Sequence, residues 1–112
     1  MSDGLPLTDL AFNILVALTD EDLHGYALIK RLREQEGRAS LRTGTVYAAL
    51  TRLGDQEWVT EVDAPVDEDD PRRRYYRITP RGLAAARAEA ARLADVLGLA
   101  RSKQLLEGAT GG

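Results

Sequence analysis

The chain has no cysteine and a single histidine, His24. Their scarcity excludes disulfides, thiolate zinc sites and cysteine nucleophiles, and it leaves no histidine cluster for a metal. No run approaches the roughly 18 consecutive apolar residues of a membrane span, and no basic-then-apolar signal pattern is present. The glycines form no phosphate-binding fingerprint. The sequence therefore predicts neither an enzyme nor a metal or other cofactor, and it favours a cytoplasmic protein without membrane contact.

The overall composition is that of one soluble globular domain, with 112 residues, 44% hydrophobic and 29% charged. The formal net charge is −3, from 15 basic and 18 acidic residues, which argues weakly against a nucleic-acid partner. The charges are sorted along the chain, however. Residues 30–52 carry six basic and two acidic residues, residues 63–70 carry five acids, and residues 71–81 carry five arginines without an acid.

Three amphipathic helices are predicted, because apolar residues recur at spacings of three and four over residues 7–18, 24–36 and 43–56. We expect Thr8 or Asp9 to cap the first helix and Thr43 to cap the third. Gly37 is placed to end the second helix with a positive φ. His24 is expected to act at the start of that helix, since a lone imidazole is more often structural than a pH sensor or a ligand.

The period then changes to that of β-strands. Residues 58–62 and 73–79 are rich in β-formers, and a loop with two prolines and a run of acids separates them, so they predict a hairpin. We expect Tyr76 and Trp58 to pack in the core, the alternative being that Tyr75 and Tyr76 stack on a single-stranded nucleic acid. The acids lack the spacing of a calcium-binding loop.

A final helix is predicted to begin at Thr79-Pro80, with Thr79 as the N-cap and the proline in the first helical position. Its apolar residues repeat at alternating spacings of three and four, as in a coiled-coil seam: Leu83, Ala86, Ala90, Leu93, Leu97 and Ala100. Two copies packing together would bury this seam, so we expect a homodimer. The alternative is that the helix folds back on its own domain.

This order of elements predicts a mainly α fold with a two-stranded β wing, the winged helix-turn-helix. The predicted division is a winged helix-turn-helix domain over residues 5–79, a C-terminal dimerisation helix over residues 80–107 and a disordered tail over residues 108–112. In this arrangement the third helix is offered to a DNA groove, and the hairpin is the wing.

The third helix is the first candidate for contact with nucleic acid. The face opposite its buried stripe centres on Gly44, Ala48 and Thr51, with Tyr47 and Arg52 at the shoulders. Small residues at the centre allow the backbone to approach a groove floor, and the free N–H groups at the helix start suit a phosphate. The alternative is an ordinary amphipathic helix whose outer face is only solvated.

The wing is the second candidate. Its run of Arg72, Arg73 and Arg74 lies on a loop tip, where arginines can enter a minor groove or straddle a phosphate. The alternative is that these arginines neutralise the acids of residues 67–70 and form a solvated turn.

Four segments in order resemble the PadR family of bacterial transcriptional regulators. They are Leu7-Thr8 with the helix after it, Leu23-His24-Gly25-Tyr26, residues 44–53, which read Gly-Thr-Val-Tyr-Ala-Ala-Leu-x-x-Leu, and residues 70–82. The most specific part is Arg-Arg-Tyr-Tyr-x-Ile-Thr-x-x-Gly over residues 73–82. The resemblance covers roughly residues 7–106 and is similar to the family's short type, which has one C-terminal helix.

The resemblance implies a homodimeric winged-helix repressor that leaves its operator when an effector binds. It also implies that Thr43, Thr45 and Tyr47 contact DNA from the third helix and that the three wing arginines do so as well. In some short members, aromatic side chains on the last helix line a drug-binding pore, but this sequence has no aromatic residue after Tyr76. The complete predicted DNA interface is Arg42, Thr43, Gly44, Thr45, Tyr47, Ala48, Thr51, Arg72, Arg73 and Arg74.

The leading hypothesis is therefore a dimeric, sequence-specific transcriptional repressor on an inverted-repeat operator. Its predicted partners are double-stranded DNA, a second copy of the chain and an apolar or aromatic small-molecule effector, which an interface of leucine and alanine would suit. The alternative is a winged-helix module that binds protein instead of DNA and uses its last helix as a docking surface.

Overall fold

The computed structural model describes residues 7–106, in which four helices and a small sheet follow the predicted order. The mainly α fold with a β wing is confirmed. The predicted tail over residues 108–112 lies outside the described residues. The elements are α1 (Asp9–Leu18), β1 (Leu23–His24), α2 (Gly25–Arg33), α3 (Thr43–Asp55), β2 (Val59–Val62), β3 (Tyr75–Ile78) and α4 (Pro80–Ser102).

The sheet has three strands in the order β1-β3-β2, and both pairings are antiparallel. The hairpin of β2 and β3 is the predicted wing, with Val59 opposite Ile78. The third strand, β1, was not predicted, and it pairs Leu23 with Tyr76. Two residues are too few to show the alternation of a strand in the sequence, so β1 becomes visible only through its pairing.

Side-chain caps fix the starts of α1 and α2. The Thr8 hydroxyl accepts a hydrogen bond from the Ala11 N–H at 3.1 Å, and His24 Nδ1 accepts one from the Ala27 N–H at 3.2 Å. The prediction for Thr43 was wrong, because Arg42 is the N-cap of α3, makes no side-chain capping bond, and leaves Thr43 as the first helical residue.

The core lies between α1, α2 and α3, and the wing and α4 each contribute one buried apolar side chain, Val59 and Ala86. Trp58, Tyr76 and Ile78 are half-buried and pack against this core, as expected for Trp58 and Tyr76. The core side chains are Ile14, Leu15, Leu18, Leu23, Leu28, Ile29, Leu32, Val46, Ala49, Leu50, Leu53, Val59 and Ala86.

Thr79 joins the wing to α4 without an intervening linker. Its N–H donates to the Trp58 carbonyl at 3.0 Å, and its hydroxyl donates to the Glu57 carbonyl at 2.6 Å and accepts from the Gly82 N–H at 3.0 Å. A β-carbon on Gly82 would lie 2.1 Å from the Trp58 carbonyl oxygen. Glycine at this position therefore lets the first turn of α4 lie directly on the base of the wing.

The two halves of α4 have different surroundings. Its first half packs into the domain, where Gly82, Ala86 and Glu89 are buried. Its second half projects outward, which agrees with a radius of gyration of 16.1 Å against about 13 Å for a compact chain of similar length. Within residues 7–106, no helix combines the length and apolarity needed to cross a bilayer.

Candidate nucleic-acid interface

The face of α3 that the sequence assigned to DNA is solvent-exposed along its whole length. One side of the helix is anchored in the core by Val46, Ala49, Leu50 and Leu53. The other side is exposed at every predicted contact residue: Arg42, Thr43, Gly44, Thr45, Tyr47, Ala48 and Thr51. The helix is thus held rigidly from behind and presents a surface that the described chain leaves uncovered.

The entry into α3 is both basic and fixed in place. Arg33 Nε donates to the Leu41 carbonyl at 2.9 Å, which ties the loop before α3 to α2. The Arg42 carbonyl accepts from the N–H groups of Thr45 and Val46, at 3.1 and 3.3 Å. Arg42 itself is exposed and has no acidic partner within residues 7–106. Its charge is therefore available beside the positive end of the α3 dipole.

Tyr47 connects α3 to the start of α2. Its ring lies over Gly25, the first residue of α2, and a β-carbon there would lie 2.1 Å from the Tyr47 hydroxyl oxygen. The Tyr47 carbonyl accepts a hydrogen bond from the Thr51 hydroxyl at 3.0 Å. The Tyr47 side chain is still 41% exposed. Sequence reasoning placed Tyr47 on the shoulder of the helix but did not reveal its contact with Gly25.

The wing arginines are all engaged in ion pairs with acids of the same hairpin. Arg72 pairs with Asp70 at 3.2 Å, Arg73 with Glu68 at 3.7 Å and Arg74 with Glu61 at 2.7 Å. The hydrogen bond from Arg74 to Glu61 raises the pKa of that guanidinium. The arginines keep their exposure, which reaches 90% for the Arg72 side chain. The pairs of Arg72 and Arg73 match the alternative in which the acids of residues 67–70 neutralise the arginines locally, whereas Arg74 pairs with Glu61, an acid outside that set. All three guanidinium groups remain within reach of solvent.

Glu68 fixes the shape of the wing loop. It accepts a hydrogen bond from the Asp70 N–H at 3.0 Å and another from the Tyr75 hydroxyl. The Asp70 N–H, followed by the Tyr75 hydroxyl, lowers the pKa of the Glu68 carboxyl, and the same carboxylate raises the pKa of Tyr75. The Tyr75 ring meets His24 edge-on at 5.3 Å. Tyr75 is therefore occupied within the wing and is not presented as a stacking platform.

His24 lies where the wing meets α2. Its role as the cap of α2 confirms the expectation that it acts at a helix start. Arg73 Nη1 lies 3.2 Å from the other ring nitrogen, Nε2. No group of three or more His, Cys, Asp or Glu in the described part of the chain is arranged to hold a metal ion.

The predicted dimerisation residues have unequal surroundings. Ala86 is only 7% exposed because it belongs to the core of its own chain, so little of it is left for a partner. Leu83, Leu93 and Ala100 are half-buried, whereas Ala90 and Leu97 are exposed. Part of the seam thus folds back on the domain, which was the alternative considered for this helix.

Exposed apolar residues that the seam did not include lie nearby. Val96 and Leu99 are exposed on the second half of α4, and Val16 is exposed on α1, to which α4 packs. The spacing of three between Val96 and Leu99 was available in the sequence.

In the first half of α4, Glu89 is buried and pairs with Arg92 at 2.6 Å, and this hydrogen bond lowers the pKa of the Glu89 carboxyl.

Solved structures of two PadR-type transcription regulators and of a RosR protein share this fold. A PadR family regulator from Clostridium difficile R20291 matches with a TM-score of 0.76 and 22% identity, over 87% of this chain and 99% of that chain. A PadR-like regulator from Bacillus cereus matches with a TM-score of 0.76 and 23% identity, over 88% and 93%. A complex structure of RosR-S4 from H. salinarum matches with a TM-score of 0.63 and 29% identity, over 91% and 77%.

Among proteins with curated functions, none matches the sequence significantly. The sequence model of the transcriptional regulator PadR-like family, by contrast, matches residues 14–88, which is more than half of the chain. That segment runs from within α1 through both candidate DNA surfaces into the buried half of α4. The chain therefore belongs to the PadR-like family of transcriptional regulators.

Proposed function

We propose that this regulator acts as a homodimer that binds a specific inverted-repeat operator and represses transcription from it. The observation that carries the proposal is the outer face of α3, which is exposed at all seven predicted contact residues while the opposite face is anchored in the core. A rigid helix with one uncovered face is the element that winged helix-turn-helix proteins insert into the major groove. The bacterial cytoplasm, where the chromosome lies, is the proposed location.

The residues of the α3 face divide into three roles. Gly44 and Ala48 are small and let the helix backbone approach the base edges closely. Thr45 offers a hydroxyl group to bases or phosphates, and the Thr51 hydroxyl, which donates to the Tyr47 carbonyl, can still accept from a base. Arg42, at the start of α3, supplies a positive charge for a DNA phosphate. The wing arginines can make further phosphate contacts, but each must first break its ion pair with an acid of the wing.

Dimerisation is proposed to occur through the second half of α4. Leu97 is exposed to 47% there, and Leu93, one turn earlier on the same face, is half-buried, on a helix that projects from the domain. Two such helices packed side by side would bury these residues and place two copies of α3 about one DNA turn apart. Double substitution Leu93→Glu with Leu97→Glu should give monomers by light scattering and abolish operator binding. A variant that stays dimeric would place the interface elsewhere.

The direct test is selection of operator DNA from a random pool, followed by binding measurements at several salt concentrations. We expect the affinity to fall with a log–log slope of roughly −0.9 per neutralised phosphate. The selected sequence should be an inverted repeat, because a two-fold dimer presents two equivalent helices. Absence of binding to any duplex at low salt would overturn the proposal.

One observation favours a second candidate, a module that binds protein instead of DNA. The three wing arginines are paired with acids, so the wing presents a balanced surface and not a strongly positive one. A stable complex with another protein, together with no DNA binding at low salt, would support this second candidate.

An apolar or aromatic small molecule between the α4 helices is the proposed effector, and repeating the DNA selection with candidate compounds would identify it. Leucine and alanine side chains would provide most of the contacts to such a compound. Aromatic side chains on α4 cannot contribute, because none follows Tyr76 in the sequence. Unchanged operator binding with every flat apolar compound would contradict an effector of this class.

A further inference from the structure

Gly25 lies under the ring of Tyr47 at the junction of α2 and α3. A β-carbon built on Gly25 would lie 2.1 Å from the hydroxyl oxygen of Tyr47, 2.7 Å from Cζ and 2.9 Å from Cε1. Carbon and oxygen atoms do not approach this closely without a shift of one of them. Gly25 is buried, and Tyr47 reaches it from the helix that carries the candidate DNA surface.

Backbone conformation does not explain a glycine at this position. Among the described glycines, the one with a positive φ is Gly37, at 82°, whereas Gly25 is in ordinary helical conformation. Alanine would fit that backbone and has the higher helix propensity. The requirement is therefore for space, and the group that occupies the space is the Tyr47 ring.

We infer that Gly25 is a positioning residue for DNA binding. It provides a seat for the Tyr47 ring on α2 and thereby fixes where the phenolic hydroxyl is presented to the DNA backbone. With any side chain at residue 25, the ring must move away from α2, and the phenolic hydroxyl must move with it. This inference rests on the proposed DNA-binding function.

The seat has two consequences for affinity. A ring held against α2 loses little rotamer freedom when DNA binds, and ordering a free side chain would cost about two- to tenfold in affinity. A displaced ring would also obstruct the approach of a groove to the small residues Gly44 and Ala48. We therefore expect Gly25→Ala to weaken operator binding about tenfold, even though Tyr47 itself is unchanged.

A double-mutant cycle tests this coupling. Operator affinity is measured for the wild-type chain, Gly25→Ala, Tyr47→Ala and the double variant, with thermal unfolding measured in parallel. We expect Gly25→Ala to cost about tenfold in the wild-type background and less than about twofold when Tyr47 is already alanine. Equal losses in the two backgrounds, or wild-type affinity for Gly25→Ala, would overturn the inference.

Gly54→Ala is the matched control. Gly54 lies on α3, the helix that carries Tyr47, and a β-carbon there would meet only the Val59 carbonyl oxygen, at an ordinary 3.9 Å. We expect this variant to keep wild-type operator affinity. A tenfold loss for Gly54→Ala as well would show a general effect of added side chains and would contradict the inference.

Two further outcomes are also decisive. If Gly25→Ala does not fold, the double variant should fold as well as Tyr47→Ala alone, because the obstructing ring is gone; a double variant that also fails to fold would overturn the inference. If the wild-type chain binds no duplex, the proposed function fails. Failure of the inference alone is recognised by normal operator binding of the wild type together with an additive cycle.

Discussion

Among the predicted contact residues of α3, the exposed side chains are uncharged apart from Arg42, which has no acidic partner in the described chain. Each arginine of the wing tip, by contrast, is paired with an acid of its own hairpin. Both surfaces lie in basic stretches of the sequence. The difference shows that a run of arginines in the sequence does not by itself predict a positively charged surface, because acids that are close in the fold can pair with them. We therefore expect DNA affinity to depend more on α3 than on the wing.

We expect the largest effect from a substitution at Gly82, where the first turn of α4 lies on the base of the wing. A side chain in Gly82→Ala would collide with the Trp58 carbonyl and force α4 away from the base of the wing. We expect a loss of about 2 kcal/mol or more in the free energy of unfolding, measured by thermal or chemical denaturation. Gly98→Ala is the control, because a β-carbon at Gly98 meets no atom within 4 Å. Equal stability of the two variants would contradict this account of Gly82.

A glutamate introduced on each surface in turn compares their contributions to operator affinity more directly. Thr45→Glu places a carboxylate on the exposed face of α3, and we expect operator affinity to fall about 100-fold because like charges meet in the groove. A glutamate in the wing, Thr60→Glu, should cost less than about threefold, since Thr60 is exposed on β2 and already has the acid Glu61 as its neighbour. Titration of labelled operator DNA measures both, and a larger effect at Thr60 would reverse the ranking.

Arginine removal gives a smaller but sharper comparison. Arg42→Ala should lower operator affinity about fivefold and reduce the salt slope by about 0.9, the effect of one lost phosphate contact. Arg73→Ala with Arg74→Ala should be needed together for a similar loss, because each guanidinium must first leave an acid. An unchanged salt slope for the double variant would mean that the wing arginines form only a solvated turn.

The smallest expected effect is the pH dependence of wing stability. The pKa of the Glu68 carboxyl is lowered in the folded chain, mainly by the Asp70 N–H and then by the Tyr75 hydroxyl. Its contribution to stability is therefore complete above the ordinary carboxyl pKa and is lost as the pH falls through the lower folded value. Glu68→Gln should flatten this acid limb in thermal unfolding measured from about pH 3 to 6. An identical acid limb in the two proteins would show that Glu68 does not hold the loop.

The elements that the sequence predicted correctly are those with a repeating pattern. The helical spacing of three and four predicted α1, α2, α3 and α4, and the Thr79-Pro80 pair predicted the start of α4. The two-residue strand β1 has no pattern of its own and depends on pairing with β3. The misplaced cap at Thr43 is a one-residue error, which arose because residue type alone does not distinguish the N-cap from the first helical position.

The candidate site was less accessible to sequence reasoning, because its contacts join distant segments. The seat of Tyr47 on Gly25 connects two helices, and the seam on α4 gave no sign that Ala86 would be buried by its own domain. The ion pairs of Arg72 and Arg73 with acids of residues 67–70 were one of two predicted alternatives, but the pair of Arg74 with Glu61 was not predicted. Periodicity identifies which face of a helix is apolar, but it does not identify which neighbour covers that face.

Thr79 has a mechanical consequence for a regulator of this shape. Thr79 makes hydrogen bonds both to the base of the wing and to the first turn of α4, so the two elements are joined without a flexible linker. In a dimer, the crossing angle of the two projecting helices would then set the separation of the two α3 helices directly. A compound that slightly changed the crossing angle of the two α4 helices would shift both α3 helices away from successive major grooves, without itself contacting DNA.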